Sequence, residues 1–439
     1  MKHLENIFNA LKGGLLTLSL VLSQAVWAQP YAPVGSNSGT VAVEDENKEK
    51  ASDTNATGQP DLFAQRMDSV EISLLTCQPH DEIYSLYGHT AIRYHELWPK
   101  GIDVAFNYGV FDFRKPFFIG RFVLGWTDYE LGAYPYTLFK DEYRRFGSMV
   151  TEQVLNLTTE EKLRLKNALA DNLQDGNRIY RYNYFYSNCT TKARDIIEQC
   201  ISGKLIYEPR DNYQPTYREM IHEMTKRHPW AAFGNDMLLG IRSDIKTDQR
   251  QQEFLPNNLM YDFDHARIFA NGEYRPLVKE RRVAVPAGVQ LLKSEFPLSP
   301  TACAIIISIL ALALFVVQCR VHKILLAWDI LLVAIQSIIG LLLFVMLFSV
   351  HPTTTLNLQI LLFNPIPLFF LYKVVRGKKT IYWNIALVLV IFFLIGGIWQ
   401  DYAEGIWSLA LCLLLQSIVH IKIIIKCQNK GSRNLQNEE

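Results

Sequence analysis

Apolar and polar positions follow three different rhythms along this chain. Residues 69–76 (SVEISLLT) alternate, the period of a strand. Residues 90–94, 104–110 and 149–155 are further short β-type runs. At Thr158 the period changes. Thr158-Thr159-Glu160-Glu161 has a threonine where a helix N-cap belongs and a glutamate three residues on, and Leu163, Leu165, Leu169 and Leu173 follow at helical spacing. Residues 179–186 read as a strand with Tyr180, Tyr182, Tyr184 and Tyr186 on one face, and residues 189–200 (CTTKARDIIEQC) as a helix. Together these predict one mixed α/β domain over about 69–285, without internal repeats.

The third rhythm starts near residue 300. Five apolar stretches, 301–319, 324–350, 355–375, 381–399 and 405–425, each approach or exceed the ~20 residues that cross a bilayer. Basic residues decide their orientation. Arg320 and Lys323 lie between the first and second, Lys373, Arg376, Lys378 and Lys379 between the third and fourth, and Lys422, Lys426, Lys430 and Arg433 at the end of the fifth and beyond. The two remaining loops, around His351–Thr355 and Gln400–Glu404, have no Lys or Arg. The positive-inside rule then puts the C-terminus in the cytoplasm and the α/β domain outside. Within the bundle, Asp329 is either a functional carboxylate or one paired with a nearby cytoplasmic Lys or Arg. Asn364-Pro365-Ile366-Pro367 interrupts the third stretch.

The N-terminus agrees with export. Lys2 and Lys12 precede a short apolar run over 15–26, and Trp27-Ala28 closes a segment (1–28) that reads as a secretory signal. Residues 29–60 are rich in Gly, Ser, Asn, Glu and Lys without an apolar period, as in a disordered linker. The expected division is therefore signal 1–28, linker 29–60, extracytoplasmic domain 61–295, membrane domain 296–426 and cytoplasmic tail 427–439. Charge is balanced, 44 basic against 43 acidic residues, which gives no case for nucleic acid. Of seven cysteines, Cys77, Cys189 and Cys200 fall in the exported domain; an odd number leaves at least one free thiol or an intermolecular bridge, and a Cys77–Cys200 disulfide with Cys189 free is one arrangement that fits.

Candidate chemistry gathers at two motifs. Tyr87-Gly88-His89-Thr90 places a histidine at the start of a strand after a glycine. Ser187-Asn188-Cys189-Thr190-Thr191 places a cysteine in the first turn of a helix, where unpaired amides, the helix dipole and Lys192 and Arg194 favour a thiolate. A histidine alongside would form a thiolate–imidazolium pair, and the Cys189 amide is positioned for an oxyanion. Each residue alone also fits a packing role. Residues 106–139 hold twelve aromatics, a density well above the chain's 12 %; with Phe117, Phe122, Val123, Leu124 and Trp126 among Arg114, Lys115 and Arg121, this is either a membrane-dipping segment or an aromatic core.

Other chemistries fail on spacing. His89 and His95 are ~20 Å apart along a strand, too far to share a metal. His222-Glu223 lacks the second zincin histidine, since Lys226 stands there. There is no G-x-S-x-G elbow, and Gly120 to Thr127 has phosphate-loop glycine spacing with Trp126 in place of the lysine.

The segments YSLYGHTAIRYHE, FNYGVFDF and YNYFYSNCTTKARDII, with the signal and the apolar C-terminal third, resemble the Lnb-type bacterial lipoprotein N-acyltransferases over most of residues 69–280. The order of His strand, polar-residue strand and Cys helix also resembles circularly permuted papain-like (NlpC/P60-like) enzymes. The resemblance implies an α+β papain-like domain followed by an all-α bundle of five transmembrane helices. It implies Cys189 as nucleophile and His89 as base, oriented by Asn107, with Tyr108 and Asp112 as the alternatives. Tyr87, Tyr108, Asn188 and Trp126 are the candidate substrate-binding residues. The implied acyl donor is a membrane phospholipid and the acceptor a diacylglyceryl lipoprotein, with no cofactor or metal. A cell-wall peptidase on the same scaffold and a non-catalytic membrane chaperone are the competing readings.

Overall fold

The computed structural model describes residues 66–111, 116–290 and 296–436. The signal and linker expected over 1–60, and Asp112, Arg114 and Lys115, lie outside them. The N-terminal part is built on a seven-stranded sheet: β1 (Val70–Cys77), β2 (His89–Glu96), β3 (Asp103–Val110), β4 (Asp128–Pro135), β5 (Val150–Leu155), β6 (Ile179–Arg181) and β10 (Val278–Val285), in the order β10-β5-β1-β2-β3-β4-β6. Every pairing is antiparallel. β7 (Lys204–Ile206), β8 (Arg267–Ala270) and β9 (Glu273–Pro276) form a second, small sheet.

The longer helices of this part are α1 (Phe118–Leu124), α2 (Tyr136–Phe146), α3 (Thr159–Leu173), α4 (Cys189–Cys200), α5 (Tyr217–Thr225), α6 (Pro229–Leu238) and α7 (Pro256–His265). Thr158 caps α3 through the expected capping box with Glu161. One face of the large sheet buries Ile72, Leu74, Ile92 and Phe106 against Leu165 and Leu169 of α3, Ala193 and Ile197 of α4 and Phe263 of α7. The other face buries Leu75, Ala91 and Ala105 under Tyr136 and Phe139 of α2. Cover on both faces explains why nearly all of β1 is buried, whichever way a residue points.

The structure corrects several expectations. The strand predicted over 179–186 ends at Arg181, because Asn183 Oδ1 accepts the amides of Phe185 (3.1 Å) and Tyr186 (3.2 Å) and turns the chain. β4, in which buried Tyr129, Leu131 and Ala133 alternate with partly exposed residues, and α2, which buries Tyr136 and Phe139, are elements that the periodic runs named above do not include. The aromatic segment 106–139 divides: Phe106, Tyr108, Tyr129, Tyr136 and Phe139 are core, whereas Phe117, Phe122 and Trp126 are exposed. Cys77 and Cys200 are both free thiols, not a bridge.

The C-terminal part is helical and apolar. α8 (Pro300–Val321) and α9 (Leu326–Met346) are long and apolar enough to cross a membrane; α11 (Tyr382–Gly396) and residues 407–422 of α12 (Trp407–Gln436) are shorter apolar helices. The third apolar stretch is not one helix. A 3-10 turn (Leu358–Leu361) precedes α10 (Pro367–Val375), and Asn364 between them bonds Leu361 O and the Ile366 amide. Among the described side chains Asp329 pairs with neither Lys nor Arg. It accepts from Gln416 Nε2 (2.6 Å) and meets His420 Nε2 at 2.9 Å, joining α9 to α12.

The two parts are bolted together. Phe233 and Met237 of α6 pack into the core of the helical part. Gln359 Nε2 donates to Asp236 O (2.7 Å), Asn357 Nδ2 to Met237 O (2.9 Å) and Gln400 Nε2 to Leu239 O (3.2 Å). Behind them, buried Arg218 bridges Asp236 (2.7 Å) and Asp244 (2.6 Å). A second contact lies at the end of α9, where the Val350 amide donates to Leu124 O (3.1 Å).

Candidate active site

His89 opens β2 and pairs across the sheet with Cys77. The residue before it is glycine for a physical reason. Gly88 has φ +75°, and a Cβ there would sit 2.6 Å from Cys77 O. On β3, Ile92 pairs with Phe106, so Asn107 lies one step towards the His89 end of the sheet. His89 Nε2 and Asn107 Oδ1 are 3.1 Å apart. Asn107 Nδ2 donates to Ala105 O (3.2 Å), which fixes the amide orientation because a carbonyl only accepts. The imidazole therefore donates through Nε2–H to Asn107 and leaves Nδ1 for the thiol.

Cys189 reaches this histidine from a residue one hundred positions later. Asn188 caps α4, its Oδ1 accepting the amides of Thr190 (3.0 Å) and Thr191 (2.9 Å). Its Nδ2 donates to Tyr184 O (3.0 Å) and Phe254 O (2.9 Å). Every polar atom of the Asn188 side chain is thus engaged in holding the helix start, so it positions Cys189 and has no donor or acceptor left for substrate. Thr90 and Thr190 join β2 to α4 through their hydroxyls (3.1 Å). At the end of β3 the ladder with β4 is irregular between Asn107 and Val110, and Gly109 there has φ +95°, a left-handed backbone that favours glycine; a Cβ on it would lie 3.7 Å from the Cys189 Cβ, in ordinary contact.

The electrostatics favour an ion pair. Burial alone would push the Cys189 thiol up, but the His89 imidazole, its hydrogen bond, the Thr90 backbone and the Thr190 hydroxyl together hold it below the usual thiol value. Burial would likewise lower His89; the Cys189 thiolate, hydrogen bonds that the imidazolium donates to Cys189 and Asn107, and the charge of Glu142 on α2 raise it instead. Cys77 goes the other way: burial drives its thiol far up, so it stays protonated. Arg194 contributes little charge here, because Asp195 (2.7 Å) and buried Glu253 (2.9 Å) neutralise it.

Tyrosines line the remaining walls. Tyr129 stacks on Tyr182 (4.0 Å) and on Phe111 (4.9 Å). Burial first, and the Cys189 thiolate second, raise the Tyr129 and Tyr180 phenols, so both remain protonated donors. Tyr87 meets Tyr184 edge-on at 5.0 Å and accepts from Asn235 of α6 (2.6 Å), bordering the site. Of the other predicted binding residues, Tyr108 is buried with its hydroxyl bonded to Asn172 (2.8 Å), a core role. Trp126 is exposed beside α1, in the segment that meets the membrane part. Sequence reasoning missed Gly109, Thr90, Tyr129 and Glu142. The run of alternating tyrosines was the one local signal; Tyr180, Tyr182 and Tyr184 do converge near Cys189, although Tyr186 turns outward.

No curated relative and no solved structure matches the chain. Residues 63–222, which include β1 to β3 and α4, match the family model of the Lnb N-terminal periplasmic domain. Residues 292–428 match that of the Lnb transmembrane domain. With both domains present in this order, the chain is a membrane-anchored protein with a periplasmic N-terminal domain, and it belongs to the Lnb family.

Proposed function

We propose that this chain is a lipoprotein N-acyltransferase working through a covalent cysteine intermediate. Cys189 thiolate attacks an ester carbonyl of a membrane phospholipid, and His89 gives its proton to the departing lysophospholipid oxygen. The free α-amine of a diacylglyceryl-cysteine lipoprotein then attacks the thioester carbonyl, His89 takes a proton from that amine, and Cys189 leaves as thiolate. Asn107 orients the imidazole throughout. With Asn188 engaged at Thr190 and Thr191, the Cys189 amide remains to donate to the oxyanion.

The observation that carries this reading is the trio of Cys189 at a helix start, His89 and Asn107, with opposed pKa shifts on thiol and imidazole, in a domain bolted to an apolar helical bundle. The order of His strand, Asn strand and Cys helix supports a permuted papain-like domain. The alternation of basic loops supports five spans with the C-terminus inside; with the signal-like N-terminus and the polar stretch after it, this supports the division 1–28, 29–60, 61–295, 296–426 and 427–439. A peptidase on the same trio has little use for such a membrane mount.

The test is mass spectrometry of an abundant lipoprotein's N-terminal lipopeptide in a strain lacking the chain and complemented with wild type or Cys189→Ala. Restoration by wild type alone, with lysophospholipid rising, supports the reading. Equal restoration by Cys189→Ala removes the nucleophile. Failure of both removes lipoproteins as the acceptor and leaves the cell wall as the alternative.

A further inference from the structure

We propose that residues 116–127, α1 and the turn after it, dip into the outer leaflet beside the end of α9, with the acyl chains of membrane phospholipid as the partner of this surface. Three large rings stand exposed in this short segment: Phe117 at 87 %, Trp126 at 47 % and Phe122 at 39 %. Phe117 is also held at φ +55°, a region that a bulky side chain rarely occupies. A strained aromatic left in water is stable only if something else covers it.

The neighbours identify the cover. The Val350 amide donates to Leu124 O (3.1 Å), and His351 Nε2 meets Phe122 O at 3.1 Å. Phe348 and Val350, exposed at 66 % and 54 %, continue the outward apolar surface of α9, an apolar helix long enough to cross a membrane. The rings of 116–127 therefore extend a lipid-facing surface. Local turns and the end of α9 together engage its C-terminal backbone groups: Gly125 N donates to Phe122 O (2.9 Å) and Trp126 N to Arg121 O (2.7 Å). Arg121 is engaged by Trp126 O and Asp128 (3.1 Å), and the exposed rings Phe117, Phe122 and Trp126 suit acyl chains. On the acyl-transfer reading, this surface also delivers the donor. Phe111 follows β3 and Tyr129 lies on β4, on either side of the segment; with Tyr182 they form the stack that borders Cys189.

The depth arm uses the full chain in phosphatidylcholine vesicles, with a nitroxide on Phe117→Cys in a Cys189→Ala background and the same background without Phe117→Cys as blank. Oxygen collisions exceeding those of a water-soluble nickel chelate, unchanged by added phosphatidylglycerol, are expected. The reverse order, or dependence on the anionic lipid, overturns the proposal. The delivery arm compares wild type with Phe117→Asp/Phe122→Asp. Acylation of Cys189 from vesicle phospholipid should fall about tenfold or more, given the cost of removing two rings from lipid, while acylation by water-soluble p-nitrophenyl acetate stays unchanged. No loss, or equal loss with both donors, refutes delivery by this surface. A wild type that neither donor acylates refutes the acyl-transfer reading and leaves the depth result standing.

Discussion

Removing Asn107 separates two roles that a hydrogen-bonded trio usually hides. In Asn107→Ala the 3.1 Å contact with His89 Nε2 is lost. A hydrogen bond to a charged partner contributes about 1.5–3 kcal/mol and one to a neutral partner about 0.5–1.5 kcal/mol, so the imidazolium loses about 1–1.5 kcal/mol more than the imidazole. At 1.36 kcal/mol per pKa unit, this lowers His89 by about one unit. The sign follows from the direction of the native shift, since Asn107 is one of the groups that raise His89. The acid limb of the activity profile is a different transition, in which Cys189 loses its proton while His89 is already charged. Asn107 bonds the imidazolium on both sides of that step, so the acid limb should not move. The alkaline limb, where the imidazolium deprotonates, should move down by about one unit, while the rate between the limbs changes little as long as the ion pair stays the major form. The assay is single-turnover acylation of Cys189, read from intact-protein mass across the pH range. An unmoved alkaline limb would refute Asn107 as the orienting residue. Both limbs moving together would mean that Asn107 acts on the thiolate instead.

Other substitutions test the supports. Gly88→Ala forces a Cβ against Cys77 O at φ +75°; overpacking and left-handed strain together should cost about 3 kcal/mol, a drop of about 6–12 °C in Tm by thermal shift in detergent. Asn188→Ala removes the α4 cap, which should cost about 1–2 kcal/mol and raise the Cys189 thiol, read as an upward shift in the pH midpoint of iodoacetamide reaction. Arg218→Met leaves Asp244 without its guanidinium partner and Asp236 with His222 alone, and should cost about 3–5 kcal/mol; protease sensitivity at the α5–α6 junction checks it.

Much of the outline was legible because it is local. Period and capping place β1 and α3, glycine before His89 signals a constrained strand start, and Asn188-Cys189 signals a nucleophile at a helix N-terminus. Apolar length and basic loops separate the two domains. Where one pattern serves two purposes, the sequence is silent. Aromatic residues over 106–139 fill a core and stand exposed within one run, so their density alone does not tell core from surface. Asn183 ends a strand by bonding backbone amides that the pattern assigned to the sheet.

Sequence by itself determined which residues could carry chemistry, because helix dipoles, caps and glycine turns act within a few positions. Tertiary structure alone decided which of them meet. His89 and Cys189 are one hundred residues apart and are joined by the packing of α4 on β2 and β3, which also consigned Tyr108 to the core and Asn188 to the cap. It likewise gave Asp329 its partners from α12 and mounted the site on α6 and the end of α9. Such contacts depend on burial and on polar satisfaction across distant segments, and no local pattern encodes them.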